Sequence, residues 1–279
     1  MTAKTAQGQR PRAGAYRRWS NHVLTVLMVA IGVVWAAPTV WVVWASLHPT
    51  GSDAPVVTLQ FFRQVFTDYG FFPNLINSVT TTVLSTALAV LIGTPAAYAL
   101  ARIPFRRKEA VTFGLLVTRM APPMLIALPL FLLARQFKVY DTVWLLILIY
   151  TAVNLSWVVF MMRSYFSDIP AELDEAAAVD GASRWRTYWS VVLPIARPGL
   201  VATATFCFIT SWNEYMFAVA LTSVRAITLP ASLTSFLTVH GLLMGPMAAA
   251  SVTVIVPIMV LALWMQKHLV RGMAMGAVK

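Results

Sequence analysis

One cysteine, four histidines and ten acidic residues are all that this 279-residue chain offers to redox, metal or carboxylate chemistry. The single thiol, Cys207, excludes an intrachain disulfide. His22, His48, His240 and His268 are too scattered for a ligand set, so no resident metal is expected. No G-x-x-x-x-G-K-[ST] stretch occurs, so the chain lacks a phosphate cradle of its own. No nucleophile stands in a recognisable pattern with a base, and no catalytic residue is expected. Charge is scarce too: 11% of residues, where soluble domains carry about 25%.

What is present is apolar. Hydrophobic residues make up 59% of the chain and mean hydropathy is +0.73. A helix needs about 20 such residues to cross the hydrocarbon core. Six stretches meet that length, at about 23–47, 75–101, 111–133, 142–162, 199–222 and 247–266. The expected fold is therefore an all-α integral membrane protein with six transmembrane helices. Pro38, Pro95, Pro122, Pro123, Pro129 and Pro257 fall inside the spans and predict kinks, with a break at the Pro122-Pro123 pair. The first span is too long for a signal-peptide core and lacks a clean small-x-small site, so it is read as retained.

A net charge of +11 raises the question of nucleic acid, and the placement of the charges answers it. Lys4, Arg10, Arg12, Arg17 and Arg18 precede the first span. Arg102, Arg106, Arg107 and Lys108 follow the second. Arg163, Arg184, Arg186 and Arg197 lie between the fourth and fifth, and Lys267, Arg271 and Lys279 close the chain. The alternate loops hold only Arg63, Arg135, Lys138 and Arg225. Such a bias places both termini in the cytoplasm and leaves no need for a nucleic-acid partner. Residues 1–22 form a basic cytoplasmic segment, 23–266 the membrane domain and 267–279 a cytoplasmic tail.

The longest charged interval, about 168–194, contains the run EAAAVDGASRWRTYWSVVLP from Glu175 to Pro194. Pro170 suits a first helical turn, with Glu172, Asp174 and Glu175 near its positive end. Gly181 suits the left-handed residue past a helix end, Ser183 an N-cap, and Pro194 a stop. Two short helices of about 15 Å each follow, half a bilayer in length. Trp185, Tyr188 and Trp189 share a face. An interfacial connector with aromatics at the headgroups is one reading, and a docking knob for a soluble partner is the other.

The spacing favours the second. Glu175-Ala176-Ala177, Gly181, Val191, Leu193 and Pro194 reproduce, with Val for Ile, the EAA…G…I-x-LP pattern of binding-protein-dependent ABC importer permeases. The chain resembles that family from about residue 20 onward. Asn77-Ser78, Ala97-Tyr98-Ala99-Leu100-Ala101-Arg102, Arg119-Met120-Ala121-Pro122-Pro123, Trp212-Asn213-Glu214-Tyr215 and the final Gly276-Ala277-Val278-Lys279 resemble its carbohydrate-uptake branch, the six-span maltose type in particular. One departure is Leu155-Ser156-Trp157, where many relatives carry proline. The resemblance implies a permease in a prokaryotic cytoplasmic membrane. Its partners would be a second, homologous permease, an ATPase dimer that binds ATP and Mg, an extracytoplasmic binding protein and a sugar. It also implies that Glu175, Ala176, Ala177, Gly181, Val191, Leu193 and Pro194 form the coupling contact, with Gly276 to Lys279 a second one.

Ionisable groups at membrane depth are costly and mark function or pairing. Arg119 and Glu214 are the two here. Either they line a wet path with Asn154, Trp157, Trp212, Asn213 and Tyr215 and meet sugar hydroxyls, or they pair and hold helices together. The run Thr80, Thr81, Thr82, Ser85, Thr86 is read as helix packing. Loops 51–73 and 223–245 are candidates to receive the binding protein. Competing accounts are import of a glycerol phosphate or polyol, an ion-coupled secondary transporter, and a membrane scaffold. No internal repeat of the kind common in secondary transporters is visible.

Overall fold

The computed structural model describes residues 13–49, 57–238 and 241–276. Long apolar runs become long helices. α1 spans Ala13–Leu47, the short amphipathic α2 Gln60–Thr67, and α3 Phe71–Arg102. α4 (Lys108–Met120) and α5 (Pro123–Gln136) follow as two halves, and α6 (Val143–Asp168) is again continuous. Three short pieces come next: α7 (Glu172–Val179), α8 (Arg184–Thr187) and α9 (Leu193–Ile195), the last two joined by a π-helical turn at Tyr188–Val192. α10 (Arg197–Trp212), α11 (Met216–Leu221) and α12 (Leu229–Ser232) then lead through a 3-10 turn at Leu233–Phe236 to a hairpin. Its strands, β1 (Leu237–Thr238) and β2 (Gly241–Leu242), are antiparallel, with Leu237 opposite Leu242. α13 (Met244–Gly276) closes the described chain.

Among the described residues four stretches are long and apolar enough to cross a bilayer: His22–Leu47, Phe71–Arg102, Val143–Asp168 and Met244–Trp264. The number rises to six if each of two bent pairs is one span, α4 with α5 (bent 89°) and Arg184–Ile195 with α10 (bent 79°). The third and fifth expected spans are thus not continuous rods. The third breaks at Pro122-Pro123, which lack N–H donors, and Ala121 before them is extended, as pre-proline sterics favour. The fifth, expected over 199–222, begins at Arg197 and is cut after Trp212. There Asn213 Nδ2 donates back to the Ile209 carbonyl (2.9 Å), and Glu214 Oε1 accepts from the Phe217 N–H (3.0 Å). One side chain terminates α10 and the other caps α11. The fourth span, expected to end at Met162, continues to Asp168 and carries no break at Leu155-Ser156-Trp157.

α3 and α6 form the central pair. A Cβ on Gly93 would lie 2.7 Å from Val158 Cγ1, so only glycine permits this approach. Ser78, Thr81, Thr82, Ser85 and Thr86 of α3 are all buried, as small hydroxyl residues are at helix interfaces in lipid. One apolar cluster, with Val158, Met162, Phe166, Tyr188 and Val192, joins α3 and α6 to the short helices. A second, with Phe71, Trp212, Phe236 and Val254, lies toward the other end of the helices. From His22 onward α1 buries almost nothing: Val34 and Trp35 are 70% and 81% exposed, a surface for lipid or a neighbouring subunit rather than for water.

Candidate functional site

Two places concentrate the motif residues: the elbow of short helices at one end of α6, and a polar cavity among broken helices. The elbow begins two residues later than expected. Pro170 precedes the helix, and its carbonyl accepts from Leu173 N. α7 ends in a Schellman arrangement: Ala182 N–H donates to Ala177 O (2.9 Å) and Gly181 N–H to Ala178 O (3.0 Å). Gly181 has φ +78°, the left-handed conformation anticipated from the sequence. Ser183 Oγ accepts from Arg186 N (3.4 Å) as the cap of α8. Pro194 does not end the segment; the helix runs on to Ile195. The physical reason is the π turn just before it, which widens the backbone where the proline ring would otherwise meet the preceding turn.

The elbow is fastened to α3 by residues of the Ala97-to-Arg102 motif. Tyr98 Oη donates to Asp174 Oδ1 at 2.6 Å, and Arg102 Nε lies 3.0 Å from Asp174 Oδ2. Arg102 Nη2 also donates to the Ile169 carbonyl (2.8 Å). Tyr188 is buried between Tyr98 and Phe166, with ring centroids 5.2 and 6.3 Å away. The expected single aromatic face is therefore divided: Tyr188 points into the protein, while Trp185 and Trp189 remain exposed beside it. Glu175, Ala176 and Ala178 are exposed, whereas Asp174 is half-buried and Ala177 buried, and the Glu175 carboxylate has no hydrogen-bond partner among the described residues. Val179, at the tip, is 88% exposed. Val191, Leu193 and Pro194 are half-buried. Ala277, Val278 and Lys279 lie outside the described residues, and Gly276 ends α13.

The cavity, of about 250 Å³, is lined by Arg119, Tyr150, Val153, Asn154, Thr210, Ser211, Glu214 and Phe217. Arg119 comes from the end of α4, Glu214 from the gap between α10 and α11. Irregular backbone at such depth is tolerated where it borders a cavity. Asn154 is fixed: its Nδ2 donates to Ser211 Oγ (2.6 Å), and its Oδ1 accepts from Thr210 Oγ1 (2.9 Å). Ser211 Oγ extends the network to Ser85 Oγ (3.2 Å). The Arg119 guanidinium lies over the Trp157 ring at 4.9 Å, and its buried Nε has no hydrogen-bond partner among the described residues. Arg119 and Glu214 form no ion pair; those among the described residues are Arg102–Asp174 and Arg163–Glu109.

Of the other residues proposed for a substrate path, Trp157 backs Arg119, and Asn213 and Tyr215 sit exposed at the helix break. Trp212 is placed elsewhere: it is buried, stacked on Phe208, with Nε1 donating to the Val254 carbonyl (3.0 Å). Tyr150, Thr210 and Ser211 were not anticipated. The signal existed, since Tyr150 and Asn154 stand four apart on one face of α6, and Thr210-Ser211 directly precede the Trp212-to-Tyr215 motif.

At the far end of α6, Asp141 collects a loop. Its carboxylate accepts from the N–H groups of Ser223, Val224, Arg225 and Ala226 (3.0–3.2 Å). Partial burial pushes its pKa up, but the backbone donors of Arg225, Ser223, Ala226 and Val224 outweigh it, and the carboxyl lies below its usual value. Asn77 Nδ2 donates to the carbonyls of Arg225 and Ile227 (2.9 and 3.0 Å), and Leu229 N–H donates to Ser78 Oγ (2.7 Å). The Asn77-Ser78 motif thus holds the same loop from α3.

The structure is thus a bundle of apolar helices, some of them broken, with a projecting, capped helical elbow. The chain belongs to the family of binding-protein-dependent transport system inner membrane components, whose profile matches residues 89–275. It is 34% identical over 275 residues to the trehalose transport system permease protein SugB of Mycobacterium tuberculosis, covering 95% of this chain and 99% of that one. It is 35% identical over 274 residues to the trehalose/maltose transport system permease protein MalG of Thermococcus litoralis, covering 93% and 99%. Its fold is similar to a chain of a bacterial ABC transporter that imports the acidic polysaccharide alginate (TM-score 0.76, 23% identity, 92% of this chain and 99% of that one). The protein is a multi-pass ABC importer permease.

Proposed function

We propose that this chain carries a sugar across the cytoplasmic membrane as one of two permeases in an ATP-driven importer. Six spans, the third broken at Pro122-Pro123 and the fifth formed by α10 and α11 across the break at Asn213, leave both termini and the elbow on the cytoplasmic side, a reading that the placement of Lys and Arg supports. An ATPase dimer engages the exposed face of α7, with Glu175 offering its carboxylate to a basic residue of the groove. An extracytoplasmic binding protein delivers the sugar to the end where Asp141 and Asn77 fasten the loop at 223–229.

One observation supports this reading above the rest: the elbow is capped and anchored rather than a loose connector. The Gly181 turn and Ser183 cap stiffen it, and the Asp174 bonds to Tyr98 and Arg102 tie it to a 32-residue helix. A displacement applied to α7 therefore reaches α3, and through the Gly93 contact α6, without being absorbed in a loop. ATP and Mg belong to the partner subunits. The relatives named for trehalose and maltose transport favour a sugar over a glycerol phosphate or polyol.

The test is reconstitution of the complete assembly in proteoliposomes with its ATPase and binding protein. Sugar-stimulated ATP hydrolysis with uptake is expected. Uptake by this chain alone under a proton gradient would replace the account with a secondary transporter.

A further inference from the structure

Arg119 and Glu214 reach one cavity at membrane depth, and among the described residues they form no ion pair with each other. Among the described residues the buried Nε of Arg119 has no hydrogen-bond partner, and the Glu214 carboxylate is engaged through Oε1 alone, by the Phe217 N–H. Between them the cavity of about 250 Å³ corresponds to roughly eight waters' share of liquid volume, the room of one hexose ring. Its remaining polar lining is already engaged: Asn154, Thr210 and Ser211 bond to each other, and Tyr150 Oη donates to the Glu214 carbonyl (3.4 Å). The least engaged groups are thus one guanidinium, which can only donate, and one carboxylate, which can only accept, while Tyr150, Thr210 and Ser211 keep acceptor lone pairs and Asn154 a second N–H.

We infer that this cavity is a sugar subsite on this subunit, selective for a neutral pyranose, in which Arg119 and Glu214 grip neighbouring hydroxyls. A hydroxyl is donor and acceptor at once, so a vicinal diol satisfies both residues: one oxygen accepts from the guanidinium while the next donates to the carboxylate. A uronate or sugar phosphate would satisfy Arg119 but stand against Glu214, and an amino sugar would do the reverse. The two formal charges cancel, so the cavity favours neither ionic class. Trp157, on the far side of Arg119, holds the guanidinium by stacking rather than offering its own face to the ring. The inference rests on the importer reading above and adds to it a location and a charge class.

The test is equilibrium binding to the assembled permease–ATPase complex in nanodiscs, without the binding protein, so that delivery does not select the ligand. Tritium-labelled trehalose, a glucuronate-containing disaccharide and a glucosamine-containing disaccharide are the probes. Wild type is expected to hold trehalose best. Arg119→Gln and Glu214→Gln each weaken trehalose by about tenfold or more. Glu214→Gln should move the preference toward the glucuronate probe, and Arg119→Gln toward the glucosamine probe, shifts that a merely structural role would not produce. Glu214→Gln keeps an oxygen for the Phe217 N–H, and thermal unfolding of both variants checks the fold. Wild-type preference for an ionic probe, no trehalose binding, or unshifted selectivity in folded variants overturns the subsite. If the same assembly with its binding protein still drives trehalose uptake, the importer reading survives that loss; no ATP-driven uptake of any probe overturns both.

Discussion

The hydroxyl of Tyr98, four residues from the end of α3, donates to the carboxylate of Asp174 on α7 at 2.6 Å. This bond and the Arg102–Asp174 ion pair are the polar joint between the elbow and the bundle. Tyr98→Phe removes the donor and keeps the ring against Tyr188. It is expected to lower stability by only about 1 kcal/mol, since a hydrogen bond to a charged group at a partly exposed site contributes modestly. Transport per ATP hydrolysed should fall further than stability does, because the joint carries motion. Parallel measurement of uptake and ATP hydrolysis checks it; a fall in both together would show a folding defect instead.

Gly181 is governed by backbone conformation and not by space. No atom of the described residues lies within 4 Å of the position a Cβ would take, yet φ is +78°. Gly181→Ala is expected to destabilise the turn by about 1 kcal/mol and Gly181→Val by about 2, with Gly181→Asn the mildest. If open space decided the outcome, all three would match wild type in thermal unfolding and in ATP-coupled uptake.

At the opposite end, Asp141 binds four backbone N–H groups and has a depressed carboxyl pKa. A depressed acid contributes stability that is complete above its unfolded value, about 3.9, and is lost as pH falls through the lower folded value. Asp141→Asn retains the left-handed backbone preference at φ +58° but loses the charge. The variant should therefore be less stable than wild type at neutral pH, by about 1 kcal/mol, and the gap should close below about pH 4. Unfolding curves from pH 7 to pH 3 measure it.

Local chemistry was legible in the chain and long-range partnership was not. The Gly181 turn and the Ser183 cap follow from neighbours within a few residues, so their types announced them. The break at Pro122-Pro123 did too. Pro194 misled because a π turn, which depends on the packing of Tyr188 and Val192, changed what the proline had to avoid. Asp174 looked like one more acid at a helix start; its joint to Tyr98 spans 76 positions and has no local signature. Asp141, in the same way, gave no sign of the loop 82 residues onward. Trp212 shared a motif with Glu214, but α10 ends at Trp212 and Glu214 lies in the break beyond it, so the two have different surroundings.

The most direct measurement concerns the exposed side of α7. Single cysteines at Glu175 and Ala178, in a chain with Cys207 replaced by serine, are to be cross-linked in the complete assembly during ATP-driven uptake. The account predicts adducts to the ATPase subunit at both positions, and loss of uptake with continued ATP hydrolysis in Glu175→Lys. Free, water-accessible cysteines in the transporting assembly, together with normal uptake in Glu175→Lys, would contradict it.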